Sequence, residues 1–364
     1  MSAATARIDT DALRHNLGQI RNRAPASKVM AVIKANAYGH GMVPIAHALT
    51  DVDSLAVARI EEAIQLREAG VACPIVVLEG VSNADELRLA GQHGLETVVH
   101  CREQIMLMEE NSGTGADLWL KLDTGMNRLG FAAEEFREAH RRLVNLPSVS
   151  RNPGLMSHFS SADLSESETS EDQLKKFLEM TEGLPGERSL ANSAGILNIS
   201  ASHLDWVRPG LSLYGVSPIA GKTGQDLDLK PVMRFSTWLV AIRNLAAGDM
   251  VGYGCRWRAA KPTRLGIAAC GYGDGYPWAL PDGTPLLVNG MNASLAGRVS
   301  MDMIAINLGA DSDARVGHEV LLWGEPELPV EEIAAAAATI PYELLCRVSQ
   351  RVSREIVSAQ TPIR

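Results

Sequence analysis

One lysine near the start of the chain stands where its chemistry could be used. Residues 29–33 read VMAVI, an apolar run typical of a strand buried on both faces, and Lys34 follows where that strand should end. The next residues, ANAYGHG, are polar and glycine-rich, so Lys34 would face a loop. A lysine amine in such a position can form a Schiff base with an aldehyde. The alternative is an ordinary charged side chain that reaches solvent at the strand end.

The elements that would position Lys34 are read from the alternation of the first two-thirds of the chain. Helix-like stretches such as EEAIQLREAG separate most of a series of apolar runs, and Asp9 or Thr10 would cap an opening helix. The runs are KVMAVIK, SLAVARI, PIVVLEG, LETVVH, ADLWLKLDT, GLMSHFS, RSLANS and WVRPGLSLYG. Eight strands alternating with helices over about 215 residues predict a TIM-type (β/α)8 barrel across residues 1–228. An open, doubly wound sheet is the alternative.

Polar and ionisable residues follow the ends of these predicted strands, which is where barrel enzymes carry their active sites. Besides Lys34 they are Lys121 with Asp123, His158, Asn192 with Ser193, and Arg208 with Gly210. The Ser193 hydroxyl and the backbone N–H groups of Gly210 and Leu211 would close the last two strands, where such barrels commonly bind phosphate. A lysine at the mouth and a phosphate cradle together indicate pyridoxal phosphate, with Arg208 in reach of its pyridine nitrogen.

Residues 229–364 have a different sequence pattern and are predicted to form a mostly β second domain. Strand-like segments from RFSTWLVAIRNL to EVLLWG are separated by Gly, Pro and Asp turns. A helix through PVEEIAAAAATI and a last strand near CRVSQRVSREIV would complete the domain. The GYGDGY at 271–276 has glycines spaced as in a dinucleotide site, but no helix is predicted after it, so that interpretation is rejected.

The composition argues against several classes of function. A net charge of −9 over 364 residues disfavours nucleic acid or an anionic membrane as a partner. No apolar stretch approaches the ~18 residues of a membrane span, and no secretory signal is predicted at the start. Five scattered cysteines without a CxxC pair predict reduced, mostly buried thiols and a cytoplasmic protein. The nine histidines lack metal-site spacing, so no metal is expected.

Several segments match, in the same order, those of one known family. They are AVIKANAYGHG, KLDTGMNRLGF, SHFSSAD, ANSAG, WVRPGLSLYGVSP, VGYGCRW, GYGDGYP and GRVSMD. Over essentially its whole length the chain resembles the alanine racemases, which are fold-type III pyridoxal-phosphate enzymes. The resemblance implies interconversion of L-alanine and D-alanine, with pyridoxal phosphate as cofactor, by a homodimer whose active sites are shared between subunits.

The resemblance also implies roles for individual residues. Catalysis falls to Lys34, as the cofactor lysine and one base, and to Tyr253 of the partner subunit, as the second base on the opposite face. The residues implied to bind the cofactor are Lys34, Tyr38, His158, Asn192, Ser193, Arg208, Gly210 and Leu211. Those implied to bind or admit the substrate are Arg128, Met301 and Tyr272, and Lys121 matches a position that the family often carries as a carbamate.

Each role has a competing structural interpretation when the residue is taken singly. The alternatives are a strand aromatic for Tyr253, a solvated corner for Arg128 and Lys121, a core histidine for His158, and a pairing of Arg208 with Asp205. At the level of function, the alternatives are an amino-acid racemase of broader specificity and a non-catalytic carrier of pyridoxal phosphate. A barrel-type decarboxylase is disfavoured by GYGCRW and GRVSMD. The product could serve cell-wall synthesis as D-alanine or catabolism as L-alanine.

Three positions depart from the family pattern. Gln350, within SQRVSR, replaces a tyrosine that often touches the phosphate. Trp278 stands where many members carry an arginine near the entrance, and Ser189 where some place a histidine behind the pyridine arginine. The departures alter one expected phosphate contact and the entrance, and they leave the chemistry in place.

Overall fold

The computed structural model describes residues 4–111, 117–147, 149, 151–164 and 167–358. Its strands are β1 (Ala4–Asp9), β2 (Lys28–Val32), β3 (Ser54–Val57), β4 (Ile75–Val77), β5 (Glu96–Val99), β6 (Asp117–Lys121), β7 (Gly154–Met156), β8 (Arg188–Asn192), β9 (Trp206–Arg208), β10 (Met233–Leu245), β11 (Met250–Val251), β12 (Trp257–Arg258), β13 (Thr263–Ala268), β14 (Pro285–Val288), β15 (Met291–Leu295), β16 (Ile304–Gly309), β17 (Glu319–Trp323) and β18 (Ser353–Val357). Its helices are α1 (Thr10–Arg23), α2 (Lys34–Tyr38), α3 (Met42–Ala48), α4 (Ile60–Glu68), α5 (Ala84–Gln92), α6 (Arg102–Glu110), α7 (Ala133–Val144), α8 (Glu168–Thr181), α9 (Ser193–Asn198), α10 (Val330–Ala336) and α11 (Pro341–Arg347).

Strands β2 to β9 form a closed parallel barrel, which confirms the predicted architecture and excludes the open sheet. The barrel closes between its first and last strands, where Lys28 and Val29 pair with Trp206 and Val207. Each predicted apolar run supplies one strand, and the strands are continuously apolar because both of their faces are buried. Helices alternate with the strands, so the carboxyl ends of all eight strands meet at one mouth.

The second domain is mostly β, as predicted, and its main sheet runs in the order β13-β16-β15-β14-β17-β10-β1-β18. Strand β13, at the edge of this sheet, also pairs with β10, which is the longest strand. The first strand of the chain, β1, lies in this sheet between β10 and β18. Our sequence analysis missed β1, but the helix cap that follows it is confirmed: Asp9 accepts hydrogen bonds from the N–H groups of Asp11 and Ala12 at 2.8 and 3.0 Å.

One prediction near the C-terminus needs correction. The helix through PVEEIAAAAATI is present as α10, but the last strand begins only at Ser353. Cys346 and Arg347, at the start of the segment expected to be a strand, belong to α11. Pro341 at the first position of α11 explains this difference, since proline there is preorganised for a helix. The boundary between the domains at residues 228 and 229 stays a prediction.

The cysteines are reduced, as predicted, but the expectation that most are buried was wrong. All five are free thiols; Cys270 is buried, Cys73 and Cys101 are partly exposed, and Cys255 and Cys346 are exposed. Exposure follows from where they lie, because Cys255 ends a surface turn and Cys346 lies near the barrel mouth. None of the helices in the described part of the chain combines the length and apolar character that a bilayer crossing requires.

Candidate active site

Lys34 lies two residues after the end of β2, at the mouth of the barrel, and leads into an unusual turn. Ala35, Asn36, Ala37 and Tyr38 all have φ between +50° and +54°, so four successive residues that are not glycine adopt the left-handed conformation. Such residues cost roughly 1–2 kcal/mol each relative to right-handed ones. The sequence predicted a loop here, and the structure shows a strained left-handed helical turn instead.

Hydrogen bonds on its exposed and its buried sides hold this turn in place. The N–H of Ala35 donates to Glu62 Oε1 at 2.7 Å, and the imidazole Nδ1 of His40 lies 2.9 Å from the carbonyl oxygens of both Ala37 and Tyr38. His40 is fully buried, and burial lowers its pKa to about 4, which keeps the ring neutral. The strain is therefore maintained by the surrounding structure, as is common at functional sites.

Positive side chains crowd the mouth beside Lys34. Burial lowers the pKa of Lys34, and the charge of Arg128 lowers it further. Burial also lowers the pKa of Lys121 to about 8, with Arg208, Arg128 and Lys34 adding to the effect. The pKa of His158 is lowered well below its usual range by burial, with Arg208 the next cause. The mouth is thus an electropositive, partly desolvated site in which amines lose their protons easily.

Arg208 is buried at the end of β9 and anchored on one side. Its Nη1 donates to Ser189 Oγ at 2.6 Å, and its Nη2 donates to the carbonyls of Ser157 at 2.5 Å and Leu190 at 3.2 Å. Nη2 also lies 3.4 Å from Nδ1 of His158. Ser189, which stands where some members of the family were expected to place a histidine, thus accepts a hydrogen bond from behind the arginine. Burial lowers the pKa of Arg208 to about 10, so the guanidinium stays charged at neutral pH.

The alternative pairing of Arg208 with Asp205 is wrong. Asp205 precedes β9, at the amino end of the strand, and its Oδ2 accepts a hydrogen bond from the backbone N–H of Arg188 at 2.7 Å. Arg208 ends the same strand, at the barrel mouth. The two side chains therefore serve opposite ends of the barrel.

The Ser193 hydroxyl accepts several hydrogen bonds between the ends of β8 and β9. Its Oγ accepts from the N–H of Gly210 at 2.8 Å and from the N–H and hydroxyl of Ser212 at 3.3 and 3.1 Å. The ring of Tyr38 closes the corner, since a Cβ placed on Gly210 would lie 2.6 Å from its Oη. Burial raises the pKa of Tyr38, so its hydroxyl keeps its proton and can donate. This donor set suits a phosphate, and it depends on glycine at position 210.

Asn192 and Leu211 border the same corner. Asn192 caps α9, its Oδ1 accepting from the N–H of Gly195 at 2.9 Å. Leu211 begins a 3₁₀ turn and is buried. The aromatic ring of Tyr342, from α11, lies 5.9 Å from that of Tyr38 between centroids. Sequence reasoning missed Tyr342, which places a tyrosine at this corner although Gln350 replaces the expected one.

Arg128 is exposed on the loop after β6, and a buried glutamine ties that loop to its neighbour. Gln173 of α8 donates through Nε2 to Thr124 Oγ1 at 3.2 Å and to the carbonyl of His158 at 3.1 Å. Its Oε1 accepts from the N–H of Ser160 at 3.0 Å. Sequence reasoning missed Gln173 as well, because a glutamine in an amphipathic helix reads as a solvent-facing residue.

The candidate residues of the second domain lie on its surface. Tyr253 occupies a 3₁₀ turn and is 72% exposed, so the alternative of a strand aromatic is wrong. Tyr272 and Met301 are 43% and 53% exposed, and their loops are joined by hydrogen bonds from the N–H of Tyr272 to the Ser300 carbonyl and from that of Gly273 to the Met301 carbonyl. Across the described ranges, no hydrogen bond joins these three side chains to Lys34.

The described residues hold no cluster of three or more His, Cys, Asp or Glu side chains placed to bind a metal ion. What the barrel mouth does offer is an amine of lowered pKa, a buried charged guanidinium and a group of phosphate donors. These are the parts that an enzyme needs to bind an aldehyde cofactor through a lysine and to move a proton beside it.

Comparison with known proteins gives one consistent result. Residues 8–218 match the model "Alanine racemase, N-terminal domain" and residues 232–356 match "Alanine racemase, C-terminal domain". Proteins named alanine racemase from Aeromonas hydrophila and Vibrio cholerae are 49% and 47% identical, covering 98% and 99% of this chain and 100% and 99% of theirs.

Solved structures agree. The biosynthetic alanine racemase of Pseudomonas aeruginosa superposes with a TM-score of 0.94 at 44% identity, covering 98% of this chain and all of that one. The Bartonella henselae alanine racemase "with covalently bound pyridoxal phosphate" has a TM-score of 0.89 at 29% identity, with the coverage again 98% and 100%. Sequence, fold and site geometry thus lead to one assignment: the chain belongs to the alanine racemase family.

Proposed function

We propose that this protein is an alanine racemase that interconverts L-alanine and D-alanine with pyridoxal phosphate bound at Lys34. The observation that carries the proposal is that Lys34, Arg208 and the Ser193–Gly210 donors meet at the mouth of one barrel. Relatives that match the chain over nearly its whole length are named alanine racemase, which supports the same reaction.

The residues at the mouth fit the cofactor. When bound, pyridoxal phosphate supplies an aldehyde that joins an amine and a ring that accepts electron density from the carbon beside it. Tyr38, Ser193, Gly210 and Leu211 would hold its phosphate, because the Gly210 N–H lies 2.8 Å from Ser193 Oγ, the Tyr38 hydroxyl lies beside Gly210, and Leu211 is the next residue along the chain. Asn192 would border the same corner through its cap of α9.

Arg208 would donate to the pyridine nitrogen. Among the described residues its hydrogen bonds to Ser189, Ser157 and Leu190 use three of its five N–H groups, so donors remain for another acceptor. Its pKa of about 10 means that it does not pass a proton to the ring near neutral pH. By withholding that proton, Arg208 would limit how strongly the bound ring withdraws electron density, which would favour return of the proton to the substrate over side reactions. His158, held neutral beside it, adds no second charge.

Two residues would move the proton. The lowered pKa of Lys34 raises the fraction of neutral amine near pH 7, so that Nζ can accept a proton from the substrate carbon. Tyr253 of the partner subunit would serve the opposite face through its hydroxyl. A base on each face is what inversion requires, since a single base returns the proton to the side from which it came.

The remaining residues would bind the substrate and steady the site. Arg128 offers a guanidinium for the substrate carboxylate. Lys121, with a pKa lowered to about 8, has enough neutral amine to add to carbon dioxide and release a proton, giving a carbamate whose negative charge would steady Arg128. Tyr272 and Met301 would complete the entrance from the partner subunit, which accounts for their exposure in a single chain. The active unit would then be a homodimer.

A circular-dichroism assay of racemisation over alanine, serine and lysine tests this function. The wild-type chain should racemise alanine fastest, and Lys34→Ala should abolish turnover. Comparable rates for all three amino acids would favour a racemase of broader specificity. Binding of pyridoxal phosphate without turnover would favour a non-catalytic carrier. Borohydride reduction in the presence of pyridoxal phosphate, followed by peptide mapping, should label Lys34; label on another lysine would contradict the site.

A further inference from the structure

The segment 348–354, which follows α11, carries an arginine that joins two loops of the second domain. Arg351 donates from Nε to Asp274 Oδ1 at 2.7 Å and from Nη2 to Asp274 Oδ2 at 3.1 Å. The same Nη2 donates to Asp302 Oδ1 at 2.7 Å. Asp274 lies two residues after Tyr272, and Asp302 directly follows Met301. We refer to Arg351, Asp274 and Asp302 together as the Arg351 clasp.

Asp274 is the buried centre of the clasp. Its side chain is almost inaccessible to solvent, and Oδ2 also accepts from the N–H of Gly271 at 2.8 Å. Its backbone carbonyl accepts from the N–H of Ser349 at 3.0 Å, so the loop and the C-terminal segment are joined twice. A buried carboxylate is costly without partners, and Arg351 provides its charge partner.

Apart from the clasp, the loop around Tyr272 is held mainly by its backbone, through the hydrogen bonds to the Ser300 and Met301 carbonyls. A Cβ on Gly271 would overlap the carbonyl oxygen of Ser300, and one on Gly275, which has φ +105°, would overlap that of Arg347. Close backbone packing therefore requires glycine at both positions and leaves few side chains to fix the loop. The bidentate Arg351–Asp274 contact then supplies a geometry that a single-point contact would not.

The same segment is also hydrogen-bonded to the turn that follows Lys34. Arg354 donates from Nε to the carbonyl of Gly39 at 2.7 Å and from Nη2 to that of Val348 at 2.9 Å. A Cβ on Gly39 would overlap the carbonyl oxygen of Leu345. Segment 348–354 thus lies between the chain's own lysine site and the surface that carries Tyr272 and Met301.

We propose that Arg351 is a positioning residue, which sets Tyr272 and Met301 in the geometry that the substrate requires. The role rests on the proposed function, in which both residues complete the partner's site. Arg351 itself does not touch the substrate. It acts through the two aspartates that hold the loops, while Arg354 on the same segment fixes the Lys34 turn.

The test compares Arg351→Gln and Arg351→Lys with Arg347→Gln as matched control. Arg347 lies on α11, and among the described residues its side chain pairs with Glu343 alone, at the surface. Because misplacement of binding groups can cost up to about a hundredfold, Arg351→Gln should lower kcat/KM for alanine by about ten- to a hundredfold. The loss should lie in KM, with kcat nearly unchanged. The kcat/KM of Arg351→Lys should lie between those of Arg351→Gln and wild type, and that of Arg347→Gln should equal the wild-type value.

Two further measurements do not depend on turnover. Hydrogen exchange of the amides in residues 271–276 should be faster in Arg351→Gln than in wild type or the Arg347→Gln control. Labelling of Lys34 by pyridoxal phosphate and borohydride should stay at the wild-type level. Should Arg351→Gln fail to fold, Asp302→Asn removes one exposed contact of the clasp and should show the same changes at smaller size.

Three results would overturn the role of Arg351. The first is hydrogen exchange at residues 271–276 that is unchanged in Arg351→Gln. The second is faster exchange there with an unchanged KM. The third is a lower kcat, a higher KM and weaker labelling of Lys34 together, which would mark a general structural defect. In each of these the wild-type chain still racemises alanine, so the proposed function stands. A wild-type chain that racemises no amino acid overturns the proposed function, and the role of Arg351 with it.

Discussion

Tyr253 carries its hydroxyl on an exposed turn bounded by Gly252 and Gly254, both at positive φ. In Tyr253→Phe the ring is kept and only the acid–base group is lost. General acid–base groups typically contribute about 10²–10⁴-fold, so racemisation should fall by that range. In the proposed mechanism, as the resemblance to the family implies, Tyr253 would take the L-alanine proton and Lys34 the D-alanine proton. In deuterated water the variant should therefore still exchange the α-hydrogen of D-alanine and should exchange that of L-alanine far more slowly.

Equal loss of exchange from both enantiomers would point to a single base and contradict the role given to Tyr253. The oligomeric state of the variant, measured by light scattering, should equal that of wild type. That control separates a chemical effect of the hydroxyl from a loss of association at the exposed surface.

Lys121 illustrates how the site trades stability for chemistry. Its pKa is about 8 in the folded protein against 10.5 for an ordinary lysine. The folded protein therefore loses stability as the pH falls from 10.5 towards 8, and it carries the full penalty at pH 7. Lys121→Met should remove that penalty and raise the free energy of unfolding by about 1–3 kcal/mol at pH 7, and by less as the pH rises.

Denaturant titration in buffer free of carbon dioxide, at pH 7 and at higher pH, measures the effect of Lys121→Met. Bicarbonate should shrink the difference, because a carbamate on Lys121 would replace its positive charge with a negative one. A variant less stable than wild type at pH 7 without carbon dioxide would show that Lys121 is not a source of strain.

At the scale of elements, the left-handed turn after β2 is where local preference and fold disagree. Ala35 has φ +53° and is exposed, so a glycine there would relieve strain without removing a packed side chain. Ala35→Gly should raise the free energy of unfolding by about 0.5–1 kcal/mol. The matched control is Ala335→Gly, at an exposed position inside α10, which should lower it by about the same amount. Thermal denaturation of both variants tests this prediction. A lower stability than wild type in both variants would mean that the turn is not strained.

The same turn shows what a sequence can and cannot predict. The barrel strands were predicted correctly because continuous apolar runs such as IVV in β4 have few other uses. The turn was not, because its conformation is imposed by distant partners such as Glu62. Strand β1 was missed for a related reason: six residues, ATARID, become a strand only when β10 and β18 lie on either side.

Candidate site residues divide in a similar way. The positions of Lys34, His158 and Arg208 at the barrel mouth could be predicted because each lies at a strand end or within two residues of it, and a barrel brings strand ends together. The partners that tune them, such as Ser189 behind Arg208, come from neighbouring strands that periodicity does not pair. The role proposed for Tyr253 came only from the resemblance, since nothing in the local sequence would distinguish a catalytic tyrosine from any other exposed one.

At the scale of the whole molecule, one chain carries the lysine half of one proposed active site and the tyrosine half of another. The lysine half lies in the barrel mouth, and the tyrosine half lies on the exposed face of the second domain. A complete site would form only where the lysine half of one copy meets the tyrosine half of a second copy. An isologous dimer, in which each contact occurs twice, would contain two such sites. This geometry can be tested by mixing variants that are each inactive alone.

Lys34→Ala and Tyr253→Phe should complement each other when mixed in equal amounts and allowed to exchange subunits. In the mixed dimer one site carries both substitutions, and the other carries Lys34 from one chain and Tyr253 from its partner, both intact. Half of the dimers are mixed and each has one complete site, so activity should recover to about a quarter of the wild-type value. If Tyr253 served the site of its own chain, no mixed dimer would have a complete site. Activity that stays at the level of the separate variants, although mass spectrometry shows mixed dimers, would therefore contradict a shared active site.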